Sequence, residues 1–206
     1  MKLIQALVAK LATKKAIGWV RCASGNVLDL PGILNTSFVE GKSKVNDHEV
    51  DFLIELCRYF LKQGYESERI SILSTYSGQL FAFKKKMPKQ EFQGVKVTTV
   101  DNYQGEENDI ILLSLVRSNL EGSIGFLSID NRVCVALSRA KHALYCIGNF
   151  VQLAEKSPLW RNIVTYLHGQ KMIDDGLTLK SSCQHQLQTK YEKVNKDFFL
   201  IKTLKT

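Results

Sequence analysis

Val97-Thr98-Thr99-Val100-Asp101-Asn102-Tyr103-Gln104-Gly105-Glu106-Glu107 and Asn131-Arg132-Val133-Cys134-Val135-Ala136-Leu137-Ser138-Arg139-Ala140 are the two stretches on which the reading of this chain turns. The first runs from an apolar, β-rich stretch into a polar turn holding one glycine. The second is a helical stretch that delivers an arginine from its C-terminal end. Together they look like half of an ATP site. The other half is missing, because the chain has no glycine-lysine loop to cradle the phosphates.

Glu40-Gly41-Lys42-Ser43 is the stretch that most resembles such a loop, and it fails on spacing. A phosphate loop reads G-x-x-x-x-G-K-S/T, so that the backbone wraps the phosphates between two glycines. The first glycine position is occupied here by Thr36. The following Lys44-Val45-Asn46-Asp47 reads as a turn leading to a helix cap, so the stretch is taken as a solvated loop. Asp101, at the end of an apolar run, has the look of a magnesium-holding carboxylate, but without a phosphate loop it has little to act on.

Composition sets outer limits. The 206 residues, 45% of them hydrophobic, suffice for one substantial core. No apolar run reaches the roughly 18 residues of a membrane-spanning helix, so no membrane insertion is expected. Lys10, Lys14 and Lys15 interrupt the apolar N-terminal stretch, which argues against a secretory signal and reads as an amphipathic helix. Cys22, Cys57, Cys134, Cys146 and Cys183 form an odd set with no C-x-x-C pair, so no zinc framework is recognisable and no metal is expected in this chain. Reduced thiols point to a reducing, intracellular compartment; a cytoplasmic location is expected in preference to a nuclear one.

The net charge of +8 is concentrated at the ends. Residues 1–45 carry seven Lys/Arg against two Asp/Glu and residues 177–206 carry six against two, leaving 15 bases and 16 acids between them. Attraction to phosphate therefore rests in the ends or in local patches such as Lys84-Lys85-Lys86 and Lys89, not in the field of the whole body.

From Asn46 onward helical and extended patterns alternate. Asn46 or Asp47 caps a helix with apolar positions at Val50, Leu53, Ile54, Cys57, Phe60 and Leu61, and Gly64 ends it. Strands follow at 70–73, 94–100, 110–116 and 143–147, with helices at 79–86, 130–139, 150–155 and 159–168. The continuous apolar run at 110–116 marks a strand buried on both faces. Such alternation implies a mostly parallel sheet with helices on both faces, and ligands bound beyond the carboxyl ends of its strands. Residues 74–79, 101–107 and 117–119 are thereby expected along one edge.

These residues resemble the second RecA-like lobe of superfamily I helicases, in the branch that includes the nonsense-mediated-decay RNA helicase. Ser43-x-x-Asn46-x-x-Glu49 opens the match and Tyr76-x-Gly78-Gln79 is similar to motif IV. Val100-Asp101-x-x-Gln104-Gly105-x-Glu107 is similar to motif V, and Asn131-Arg132-x-x-Val135-Ala136-Leu137-Ser138-Arg139-Ala140 to motif VI. Arg117-Ser118-Asn119, Gly125-Phe126-Leu127 and Gly148-Asn149 also fit. The resemblance covers about residues 43–172. It divides the chain into an N-terminal helix and linker of other origin (1–42), a RecA-like helicase C-terminal lobe of P-loop NTPase type lacking its own phosphate loop (43–172), and a basic, mobile tail (173–206).

The resemblance implies a role for each motif residue. Arg139 would be the arginine finger. Gly105 would let phosphate approach, Glu107 would contact the ribose, and Gln104 would couple nucleotide to nucleic acid. Ser77, Gly78, Thr98 and Thr99 would hold the nucleic-acid backbone, with hydroxyls that cap a local turn as the competing reading. Tyr76 and Tyr103 are read as packing against the sheet edge in preference to stacking on bases, and Arg132 and Arg117 as supporting the site electrostatically or pairing internally with Asp101 or Asp130. The implied function is the second motor lobe of an ATP-dependent RNA helicase, DNA remaining open. ATP and Mg2+ would bind only when a first RecA-like lobe is supplied, and the chain alone would be inactive. The alternative is a non-catalytic RNA-binding or protein-interaction module that keeps the fold.

Overall fold

The computed structural model describes residues 43–119, 121–170 and 172 in full, and the backbone of strands at 16–21, 37–39, 173–174, 177–181 and 190–194. In chain order the strands are β1 (Ala16–Arg21), β2 (Ser37–Val39), β3 (Ser43–Val45), β4 (Ile70–Ser74), β5 (Lys96–Thr99), β6 (Asn108–Ser114), β7 (Ala140–Gly148), β8 (Ile173–Asp174), β9 (Leu177–Ser181) and β10 (Lys190–Val194). The helices are α1 (Asp47–Lys62), α2 (Ser77–Lys86), α3 (Asp130–Ser138), α4 (Phe150–Lys156) and α5 (Pro158–Gly169). Six strands form one sheet in the order β5-β4-β6-β7-β1-β8, and every neighbouring pair in it is parallel.

The sheet separates two cores. Strand β6 sends Ile110 and Leu112 to one face, where they meet Val50, Leu53 and Cys57 of α1, Phe83 of α2 and Met87 just after it. It sends Ile111 and Leu113 to the other, against Val133, Leu137, Phe150, Trp160 and Ile163 of α3, α4 and α5. The uninterrupted apolar run is thus explained by burial on both faces. Trp160 is fully buried and donates its indole N–H to the Leu127 carbonyl at 2.9 Å.

Caps follow the sequence. Asn46 accepts from the Glu49 amide to open α1, and Gly64, at φ +86°, lies just past its end. Asn149 caps α4 in the same way, and Ser157 caps α5 ahead of Pro158. Helix α2 has no such cap of its own. Its Gly78 amide donates instead to the Ser43 hydroxyl on β3 at 2.6 Å.

Three expectations change. The N-terminal stretch read as a helix becomes strand β1 from Ala16 onward, hydrogen-bonded between β7 and β8, so the sheet draws on residues before 43. A short apolar run of Ile, Trp and Val cannot be told from a helix end by periodicity alone; residues 1–15, 22–36 and 40–42 lie outside the described residues. The tail holds strand β8 in the main sheet and the antiparallel pair β9–β10, while the mobility expected of 175–176, 182–189 and 195–206 falls outside the described residues. The third change concerns the expected single edge and is taken up with the site. The false phosphate loop falls between β2 and β3, which pair antiparallel, so no helix opens after Lys42. Among the described residues, no helix is long and apolar enough to cross a membrane.

At the carboxyl ends of β6 and β7 the chains approach closely. A Cβ added at Gly148 would stand 2.8 Å from Leu115 Cδ1 and 2.9 Å from Leu115 Cβ, part of which is too near the backbone to swing away. Gly148→Ala is therefore expected to destabilise the fold by about 1–3 kcal/mol in urea unfolding; unchanged stability would contradict this packing.

Candidate nucleotide site and nucleic-acid interface

In the parallel register of β6 and β7, Asn108 faces Ala140. The residues just before each strand, Glu106-Glu107 and Ser138-Arg139, are therefore side by side at the amino edge of the sheet. The Asn108 amide donates to the Arg139 carbonyl at 3.2 Å, which joins the two segments. The Arg139 guanidinium is half-buried and points along this edge. Its Nε donates to the Val135 carbonyl at 2.9 Å, its Nη2 to the Ser138 hydroxyl at 2.7 Å and its Nη1 to the Glu106 carbonyl at 3.2 Å. All three acceptors are neutral, and among the described residues no carboxylate pairs with the guanidinium, so the side chain is oriented without an ion-pair partner there.

Around it, Gly105 takes φ +84°, and a Cβ there would meet nothing within 4 Å. The glycine is thus required by the turn, and the space beside it is open. Glu107 is exposed, with Lys141 Nζ 3.8 Å from its carboxylate. Glu106 turns the other way, its side chain held by Lys96. Gln104 lies in an open cleft of about 310 Å3 with Val100, Asp101, Asn131, Arg132 and Val135. Arg132 settles on the pairing with Asp101 (3.7 Å) and stacks over Phe126, 4.8 Å from the ring centroid.

The expected single polar edge is accordingly two edges. Strand β5 ends at Thr99 on the carboxyl edge, and β6 begins at Asn108 on the amino edge, so residues 100–107 are themselves the crossover. Asp101 stays near the carboxyl edge, whereas Glu106 and Glu107 reach the amino edge and Arg139. Tyr103 marks the descent: it is buried, and its hydroxyl lies 3.2 Å from that of Ser71 near the start of β4. Tyr76 also packs inward, accepting from the Phe126 amide at 3.0 Å.

The carboxyl edge brings together Ser77, after β4, and Thr98 and Thr99, at the end of β5. Ser77 is exposed, and Thr98 and Thr99 are half-buried. The Thr99 hydroxyl also accepts from the Asn102 amide at 3.4 Å, the local turn cap that competed with a ligand role. Gly78 does not present a free amide. It is buried against β3, where a Cβ would stand 2.9 Å from Ser43 Oγ, and its N–H is already spent on that hydroxyl.

A buried polar cluster shapes this edge, and its central member, Glu49, had no role in the sequence reading. Glu49 is fully buried; its Oε2 accepts from the Ser114 hydroxyl (2.6 Å) and the Val116 amide (2.8 Å), and its Oε1 from Asn46 Nδ2 (3.2 Å). Gln79 closes the ring, accepting from the Asn46 amide (2.7 Å) and donating to the Asn46 carbonyl (3.0 Å) and the Ser114 hydroxyl (2.9 Å). Val116 sits at φ +68°, with the Arg117 amide donating back to the Leu115 carbonyl at 2.8 Å. This is a strained γ-turn at a β-branched residue, and it persists because Glu49 holds its amide. The turn aims Arg117 at the Ser123 carbonyl (2.7 Å from Nε), which closes the loop after β6. The one signal in sequence was the Asn46-x-x-Glu49 spacing.

The structure thus shows an α/β fold, a parallel sheet between two layers of helices with polar groups collected at both of its edges. A family model described as an AAA domain matches residues 2–151, and the chain belongs to that family. The match opens at residue 2, well ahead of the motifs. The chain is 57% identical over 150 residues to human NFX1-type zinc finger-containing protein 1, an alignment covering 73% of this chain and 8% of that protein. It is 40% identical over 134 residues to Helicase required for RNAi-mediated heterochromatin assembly 1 of Schizosaccharomyces pombe (64% and 13%). It is 34% identical over 153 residues to the Regulator of nonsense transcripts 1 homolog of Drosophila melanogaster (70% and 13%). The chain thus spans only a small part of the length of the relatives it matches.

Burial raises the Glu49 carboxyl from its ordinary 4.5 to about 7, against the opposing pull of the Ser114 hydroxyl and the Val116 and Leu115 amides. Between those values the native state holds a proton that the unfolded state has released, so stability falls as pH rises through the window. Urea unfolding should show the wild type losing about 3 kcal/mol more than Glu49→Gln between about pH 5 and about pH 8. Equal losses in the two proteins would contradict the assignment.

Proposed function

We propose that this chain is the second motor lobe of an ATP-dependent RNA helicase, and that Arg139 is its arginine finger. The observation that supports this most directly is the Arg139 guanidinium itself, oriented by three neutral acceptors at the edge it shares with Gly105 and Glu107. A planar cation held in place but not neutralised is suited to a phosphate oxygen, because none of its charge is spent on a carboxylate. The open space at Gly105 fits close approach of a phosphate, and Glu107, exposed on the same edge, would accept from a ribose hydroxyl. ATP with Mg2+ would be held by a first RecA-like lobe; bound there, it supplies the phosphoryl group whose developing charge an arginine stabilises. This chain's contribution is to close that site, and alone it is expected to hydrolyse nothing.

At the carboxyl edge, Ser77, Thr98 and Thr99 offer hydroxyls to a nucleic-acid backbone. Such contacts position a strand and read no sequence. RNA is the proposed substrate, on the resemblance to the RNA helicase branch.

Joining a first lobe of the same family to this chain should restore RNA-stimulated ATP hydrolysis. Arg139→Lys in that protein should lower kcat by a factor on the order of 10³, since lysine keeps the charge but not the planar fork. A folded two-lobe protein that binds RNA with no stimulated hydrolysis would point to a binding module. Near-normal turnover by the lysine variant would remove the finger role.

A further inference from the structure

Helix α2 leaves the carboxyl edge at Ser77 and packs Phe83 and the following Met87 into the core it shares with α1. The opposite stripe, at steps of four, seven and eight residues from Ser77, carries Phe81, Lys84 and Lys85, all exposed. Phe81 is 68% exposed, more than any other large hydrophobic side chain among the described residues. Lys86 is taken up by Asp47 and Asp51, both 2.8 Å away, whereas no ion pair engages Lys84 or Lys85 among the described residues. At 1.5 Å per residue the stripe from Ser77 to Lys85 extends about 12 Å.

An open aromatic ring flanked by two unspent ammonium groups is the combination that holds single strands: a base stacks on the ring while the cations neutralise phosphates. The stripe is continuous with Ser77 on the carboxyl edge. Its charge stands out in a segment, residues 46–176, whose bases and acids nearly balance. We infer that a single-stranded polynucleotide crossing the carboxyl edge continues along the exposed face of α2, with Phe81 as a base-stacking platform and Lys84 and Lys85 as phosphate contacts. The inference rests on the proposed nucleic-acid role of that edge.

The test is fluorescence anisotropy on the full chain with labelled oligo(U) and oligo(dT) of about 20 nucleotides, at several salt concentrations. Phe81→Ala should weaken binding about 10-fold or more, while Phe81→Trp, which keeps a stacking face, should retain it. The double variant Lys84→Gln/Lys85→Gln should reduce the slope of log K against log salt by about 1.4, and the Arg pair should preserve the slope. All three substituted positions are on the surface, and circular dichroism melts check that each of the four variants is folded. Wild-type binding that none of the variants alters would overturn the strip and leave the nucleic-acid reading of the edge standing. No binding by the wild type at low salt would overturn both. Phe81-dependent capture of poly-glutamate with no oligonucleotide binding would also overturn the inference, in favour of an acidic protein partner.

Discussion

The parallel ladder between β6 and β7 is the constraint from which the rest of the site follows. Pairing of Asn108 with Ala140 requires that whatever precedes β6 stand beside whatever precedes β7. The sequence places Gly105-Glu106-Glu107 before one and Ser138-Arg139 before the other. Two stretches separated by a buried strand, a loop and a helix are thereby made adjacent, with α3 as the rigid arm that brings Arg139 down to the amino edge. The ladder is itself secured from both sides, since alternate residues of β6 enter different cores. Disturbing it would cost burial on two faces at once.

The same geometry keeps two groups of polar side chains apart, the ones proposed above to meet a nucleotide and the ones proposed to meet nucleic acid. Groups suited to a nucleotide collect at the amino edge, and groups suited to a strand of nucleic acid collect at the carboxyl edge. The crossover at 100–107 touches both, which makes it the physical link between them: Thr99 precedes it, Asp101 and Gln104 line the cleft beside α3, and Glu106 gives its carbonyl to Arg139. At the carboxyl edge the Glu49 cluster binds α1, α2 and β6 to the strained turn at Val116. A shift in any one of those elements would reach the loop that Arg117 closes.

Much of this was legible because parallel α/β chains write their order into sequence. The alternation of elements from Asn46 to residue 168, the Gly64 stop and the doubly buried run at 110–116 all follow from burial and capping, which are local. What escaped was non-local. Whether 101–107 lies at one edge or descends to the other depends on where β6 starts, and Asn108-Asp109 carries no apolar signal to mark it. Strand β1 was hidden because a helical pattern ran into it and its partners β7 and β8 lie far along the chain. Glu49 reads as an ordinary first-turn helix acid, and only the fold reveals that it is buried. Gly78 looked like a phosphate contact because its motif is shared, yet its amide is consumed by a hydroxyl from β3.

The account's central claim is that Arg139 is held ready for a phosphate. A structure of the two-lobe protein with a non-hydrolysable ATP analogue and Mg2+ tests it most directly. The predicted result is a guanidinium nitrogen of Arg139 within hydrogen-bonding distance of a γ-phosphate oxygen, with Gly105 and Glu107 facing the same nucleotide. A closed, nucleotide-bound structure in which Arg139 keeps only the Val135, Ser138 and Glu106 contacts and does not touch the phosphate would contradict it.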